Sequence, residues 1–130
     1  MNPALGYALV FLGGGIGAAA RHAVNRTALM LVGPDYPAGT LFVNIAGSIV
    51  MGMLAGWFEF RGETTTAASR LFLTTGILGG FTTFSAFALD SALMWERHDV
   101  AEALIYVVGS VIISILGLFG GLYVMRMHWS

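Results

Sequence analysis

The residues best suited to handling an ion lie in one apolar stretch, Thr74-Thr75-Gly76-Ile77-Leu78-Gly79-Gly80-Phe81-Thr82-Thr83-Phe84-Ser85-Ala86-Phe87. Adjacent Gly79 and Gly80 weaken a helix, and β-branched Thr82 and Thr83 do little to restore it, so a non-helical break is expected. Within a bilayer such a break persists only where it is buried in protein, bound to an ion or lining water, and its freed carbonyl oxygens suit a hard cation. Phe84 and Phe87, three residues apart, project from nearly the same face of a resumed helix. Ring edges carry partial positive charge and stabilise an anion without gripping it as a full cation would, a balance that conduction requires. The plain alternative is a glycine-rich packing face, with hydroxyls bonded back to their own helix and two rings against lipid.

Two further sets repeat at i, i+4 and i+8: Thr40, Asn44 and Ser48, and Tyr106, Ser110 and Ser114. On a helix each set forms one polar stripe, and hydroxyls and an amide N–H can donate to a dehydrated anion without fixed charge. Interhelical hydrogen bonding that only glues a bundle is the competing reading. Arg21, after a glycine-rich segment, is a candidate for drawing anions to a pore mouth, or for an interfacial anchor whose stem lies in lipid. Asp90, about two turns beyond the expected break, would repel an anion if bare, which favours a structural hydrogen bond. His22, His98 and His128 share no ligand spacing, and no nucleophile, base and orienting group stand together, so neither a histidine metal site nor an enzyme is expected.

The elements that must position these groups are membrane helices. The chain has 130 residues, 57% hydrophobic and only 10% charged, with a mean hydropathy of +0.80, far from the balance of a soluble domain. A net charge of -1, without lysine and with six dispersed arginines, offers no stripe for nucleic acid. Without cysteine there is no disulfide frame and no thiol chemistry. The N-terminus lacks a basic region and a clear processing site, and reads as a span and not as a cleaved signal. Apolar stretches at 4–20, 38–58, 71–95 and 103–125 are each long enough to cross, the first continuing past Arg21 toward Val32. The connections at 33–37, 59–70 and 96–99 are too short for a second domain, so 1–130 is one transmembrane domain. Trp57, Trp95 and Trp129 mark span ends, where an indole keeps its N–H wet.

Four spans place Arg61, Arg70 and Arg126 on one side and Arg21, Arg26 and Arg97 on the other. Equal numbers remove the bias that fixes orientation, making insertion both ways an expectation. Gly13 with Gly17, Gly52 with Gly56, Gly76 with Gly80 and Gly117 with Gly121 carry the spacing of close helix contacts. Because four short helices enclose little space, a homodimer is the simplest route to a polar pathway.

Three segments together resemble the Fluc, or CrcB-like, family of fluoride channels: Gly14-Gly15-Ile16-Gly17-Ala18-Ala19-Ala20-Arg21, Gly39-Thr40-Leu41-Phe42-Val43-Asn44-Ile45-Ala46-Gly47 and Gly76-Ile77-Leu78-Gly79-Gly80-Phe81-Thr82-Thr83-Phe84-Ser85. Any one alone is weak; in this order on four spans they are specific, and the resemblance covers essentially the whole chain. It implies an all-α, dual-topology antiparallel homodimer in the cell membrane with two pores. These would pass fluoride down its gradient and relieve a cell of fluoride that enters as HF. It also implies a central structural sodium held by main-chain oxygens that map to Gly79 and Thr82. The family's pore phenylalanines map to Phe84 and Phe87, its pore asparagine to Asn44, and its fourth-helix polar track to Tyr106, Ser110 and Ser114. Departures are Ala86 where threonine is familiar, His22 where an aromatic is usual, and Asp90 where glutamate is frequent. A four-helix proton-coupled multidrug transporter is the main rival, but it needs a membrane carboxylate that the first span lacks. A non-conducting assembly subunit would leave the polar stripes unexplained.

Overall fold

The computed structural model describes residues 1–62 and 66–129, except the side chain of Trp129. Residues 63–65 of the 59–70 connection, and the Trp129 indole expected at a span end, therefore lie outside the described residues. Helices are the regular structure of the described residues, and four helical segments are long and apolar enough to cross a membrane.

Helix α1 covers Pro3–Val32; Asn2 caps it by accepting from Ala4 N at 2.9 Å, and Pro3 supplies a residue that needs no donor in the first turn. It stops at Gly33, whose φ of 92° suits a residue without Cβ, before Pro34. Helix α2 covers Ala38–Phe60. The third span runs Ala67–Glu96 in pieces: α3 (Ala67–Leu71), a π-helical stretch (Phe72–Leu78), α4 (Gly79–Phe81) and α5 (Phe84–Glu96). Helix α6 covers Val100–Trp129.

The glycine spacings sort these helices into two close pairs. A methyl group on Gly13 of α1 would lie 2.8 Å from Phe72 O, 2.9 Å from Gly76 Cα and 3.0 Å from Ile77 N, while one on Gly80 would strike the Gly14 carbonyl. In the other pair, a methyl on Gly52 of α2 would strike Leu118 O, and one on Gly121 of α6 would strike Ile49 O and approach Met53 N to 2.8 Å. The obstacles are backbone atoms, which cannot swing aside as a side chain can, so missing Cβ atoms set both interhelical distances. At the end of the second pair, Arg126 clamps Glu59 through Nη2–Oε1 and Nε–Oε2 contacts of 2.7 and 3.0 Å.

Little of the spans is covered: 17–22% of each membrane-crossing window is buried. Rings and aliphatics such as Phe11, Met30, Phe84 and Ile105 remain more than 70% exposed, which in a membrane means lipid or another chain.

Candidate ion pathway

The interruption of the third span lies at Thr82–Thr83, two to three residues later than Gly79 and Gly80 suggested. Thr82 (φ -87°, ψ 161°) and Thr83 (φ -152°, ψ 125°) are extended, whereas Gly79 is helical (φ -61°, ψ -38°). Gly80 therefore acts by letting α1 approach, a Cβ there striking the Gly14 carbonyl, while Gly79 lines the concavity beside the break. The threonines leave the helix because side chains accommodate the amides that the break frees.

Asn44 supplies most of that accommodation. Its Nδ2 donates to Thr83 O at 2.9 Å, and its Oδ1 accepts from Thr83 N at 2.8 Å, so the amide pairs with Thr83 much as a neighbouring peptide would. Thr83 Oγ1 accepts from Ala86 N at 3.2 Å, capping α5, and Thr82 Oγ1 donates to Leu78 O at 3.0 Å. These bonds decide what happens to the carbonyls. Thr83 N would serve Gly79 O in a continuous helix and Ala86 N would serve Thr82 O, but both amides are given to side-chain oxygens. Gly79 and Thr82 thus present carbonyls without their helical donors, the donor chemistry a hard monovalent or divalent cation prefers.

Beside the break is a concavity of about 360 Å³ between α2, α5 and α6. Asn44, Gly79, Thr82, Phe84, Phe87, Ser110 and Ser114 all line it, so the break, both polar stripes and both phenylalanines converge. Gly47 lets Thr82 close in, since a Cβ there would meet the Thr82 methyl. Phe84 and Phe87 are 5.8 Å apart between centroids, yet differ sharply in setting: Phe84 is 79% exposed and Phe87 only 9%. Ser110 is 5% exposed, and its Oγ is the buried side-chain polar atom that has no hydrogen-bond partner among the described residues. An unsatisfied hydroxyl facing a cavity is costly without a ligand or water. The start of α5 adds unpaired N–H groups and the positive end of a helix dipole at the same level.

Tyr106 lies off this wall. It is 2% exposed, packs its ring on Phe87 at 5.3 Å and on Tyr36 at 6.2 Å, and donates its hydroxyl to Asp90 Oδ2 at 3.2 Å. Asp90 also lines a second cavity of about 280 Å³ with Asn25, Tyr36 and Thr40. Tyr106 therefore joins the Phe87 end of one cavity to the Asp90 wall of the other. Arg21 reaches the end of the upstream half-helix: part-buried, its Nε donates to Gly80 O at 3.0 Å. Ser48 and Thr83 also line the first concavity. Ser48 was legible from its i+4 spacing; Thr83 was visible only as part of the expected break. Among the described residues no group of three or more histidine, cysteine or carboxylate side chains could hold a metal.

Residues 8–122 match the family described as CrcB-like protein, Camphor Resistance (CrcB). The chain belongs to the CrcB-like family. Its relatives include a protein of Nitrobacter hamburgensis named fluoride-specific ion channel FluC 2, 49% identical over 94% of this chain and 98% of its own. Proteins named fluoride-specific ion channel FluC from Rhodopseudomonas palustris and Methylobacterium nodulans are 53% and 54% identical, over 92% and 91% of this chain and 96% and 94% of theirs. The CrcB-like match takes in every residue assigned above to the break and the two cavities, from Arg21 to Ser114. With four spanning segments, this family member is a multi-pass cell-membrane protein.

Proposed function

We propose that this chain is a fluoride-selective channel that passes the ion down its gradient, with no enzymatic step. One observation carries the reading: Ser110, whose buried hydroxyl has no partner among the described residues, lines the concavity with Phe84, Phe87 and Asn44, beside the N-terminus of α5. Fluoride is small and strongly hydrated, so crossing requires donors that replace water at each position without trapping the ion. Ser110 and Ser114 supply hydroxyl donors on one wall, and ring edges of Phe84 and Phe87 offer weak positive charge on the other. Asn44 has one amide N–H committed to Thr83 and a second that can donate. Tyr106, its hydroxyl engaged by Asp90, links the Phe87 end of this track to the second cavity. No full positive charge is needed in the track, which favours release as well as capture.

The exposed Phe84 face supports completion of the pathway by a second copy, in an antiparallel homodimer with two pores embedded in lipid. Arg21 is taken up by the bundle, leaving Arg26 and Arg97 against Arg61, Arg70 and Arg126, still a weak orienting bias compatible with dual insertion. The open carbonyls of Gly79 and Thr82 fit a structural sodium shared between the copies. Such an ion would contribute a fixed charge that neutralises converging oxygens; holding those oxygens in place is the work of Asn44 and Thr83.

The test is efflux from liposomes loaded with potassium fluoride, started with valinomycin and followed by a fluoride electrode. The reading requires fluoride release dependent on protein, with no matching chloride release and no need for a proton gradient. Exchange of an organic cation driven by pH, without fluoride release, would replace the channel by a transporter.

A further inference from the structure

We infer that Arg21 is a positioning residue of the broken span, acting through the bond from its Nε to the Gly80 carbonyl and not as a charge that collects anions. This rests on the channel reading for its flux assay, though the bond itself does not. Where a helix stops at Phe81, its last carbonyls need new donors or stay open. Leu78 O receives Thr82 N and Thr82 Oγ1, both at 3.0 Å. Gly80 O receives Arg21 Nε at 3.0 Å, and Gly79 O, between them, loses Thr83 N to Asn44. Arg21 therefore helps decide which carbonyl is open: it closes Gly80 and leaves Gly79.

The sequence of α1 explains how an arginine reaches this depth. Gly13, Gly17 and Arg21 recur every four residues and share a helix face. The two glycines bring α1 against the third span so closely that a Cβ on Gly17 would strike Ile77 O. The next position on that face then meets the end of the half-helix, where the dipole is negative and a cation is favoured. The guanidinium is part-buried against the third span, and its bond to Gly80 O keeps the charge from standing idle there.

Side-chain lengths provide a discriminating test. The Nε2 of glutamine is as many bonds from Cα as the Nε of arginine, so Arg21→Gln can keep the donor while removing the charge. Arg21→Lys keeps the charge but places its nitrogen one bond farther, and Arg21→Met keeps the stem without a donor. Fluoride efflux is measured at several concentrations for equal amounts of assembled protein. Arg21→Gln should retain at least half the wild-type maximal rate, and Arg21→Met should fall at least tenfold with the half-saturating fluoride concentration nearly unaltered. Lysine outperforming glutamine, a rise in the half-saturating concentration, or full activity in the methionine variant would overturn the inference. A wild-type measurement covers variants that fail to fold: solid-state NMR on protein labelled at Arg21 15Nε and Gly80 13C′ should show the contact expected for a 3.0 Å N–O bond. Its absence overturns the inference whether or not the protein passes fluoride; its presence in a protein that passes none would sink the channel reading alone.

Discussion

Replacing Asn44 by leucine should collapse the break more than it harms the bundle. The leucine fills similar volume, but Thr83 N and Thr83 O lose bonds of 2.8 and 2.9 Å in a part-buried site. Leaving a buried polar group unpaired costs about 1–3 kcal/mol in soluble proteins. Interhelical bonds in membranes average nearer 0.6 kcal/mol, because the chain finds other partners. Here the alternative partner is at hand: Thr83 N can return to Gly79 O if the helix straightens. The two bonds together should therefore favour the broken conformation by about 2 kcal/mol, or roughly 30-fold in the ratio of broken to continuous helix. Amide hydrogen exchange at Thr83, compared between wild type and Asn44→Leu in the same detergent, reads this directly, and fluoride efflux should fall at least tenfold. Asn44→Asp keeps an acceptor for Thr83 N but sets an oxygen against Thr83 O, so it should give an intermediate loss. Exchange and efflux both unchanged in Asn44→Leu would refute the claim that this amide maintains the break.

Phe84→Ile should reduce fluoride efflux at least tenfold with little loss of thermal stability, since Phe84 is 79% exposed, whereas Phe87→Ile should lose both, Phe87 being packed with Met94, Ala103 and Tyr106. Efflux rates and melting curves in detergent separate the two effects. Ser110→Ala removes a hydroxyl that has no protein partner, so stability should hold or rise slightly while the fluoride rate drops several-fold; an unchanged rate would remove Ser110 from the pathway. Gly121→Ala, obstructed by Ile49 O and by Met53 N at 2.8 Å, should destabilise the α2–α6 pair by about 1–3 kcal/mol, measured as loss of folded protein on SDS titration. His98, held at φ 65° after α5, should accept glycine with a gain of about 0.5–1 kcal/mol, seen as a higher melting temperature.

The fold was legible because its strongest signal is composition: four uninterrupted apolar runs admit few arrangements, and the glycine spacings even contain the pairings of helices. A break within the Gly79 to Thr83 stretch was also legible, but not which of those residues leave the helix. Gly79 and Gly80 have poor helix propensity, yet remain helical, Gly80 packed against Gly14 of α1, while the chain unwinds at Thr82 and Thr83, where Asn44 receives the Thr83 peptide groups. Propensity is local, and it was outweighed by a partner 39 residues away. The same distance effect hid Arg21, whose acceptor is 59 residues along the chain. Of the polar stripes, Ser110 and Ser114 face the concavity as their spacing allowed, but the same periodicity could not tell that Tyr106 turns to Phe87 and Asp90. Helical period fixes which residues share a face; only the neighbouring helices fix what that face meets.

The account stands on fluoride itself carrying the current. A planar bilayer containing the purified protein, bathed in sodium fluoride with a tenfold gradient and equal chloride on both sides, should show a current reversing close to the fluoride equilibrium potential, about 59 mV for a single charge. Reversal at the potential for sodium or for protons, or near zero as chloride permeation would give, would contradict it.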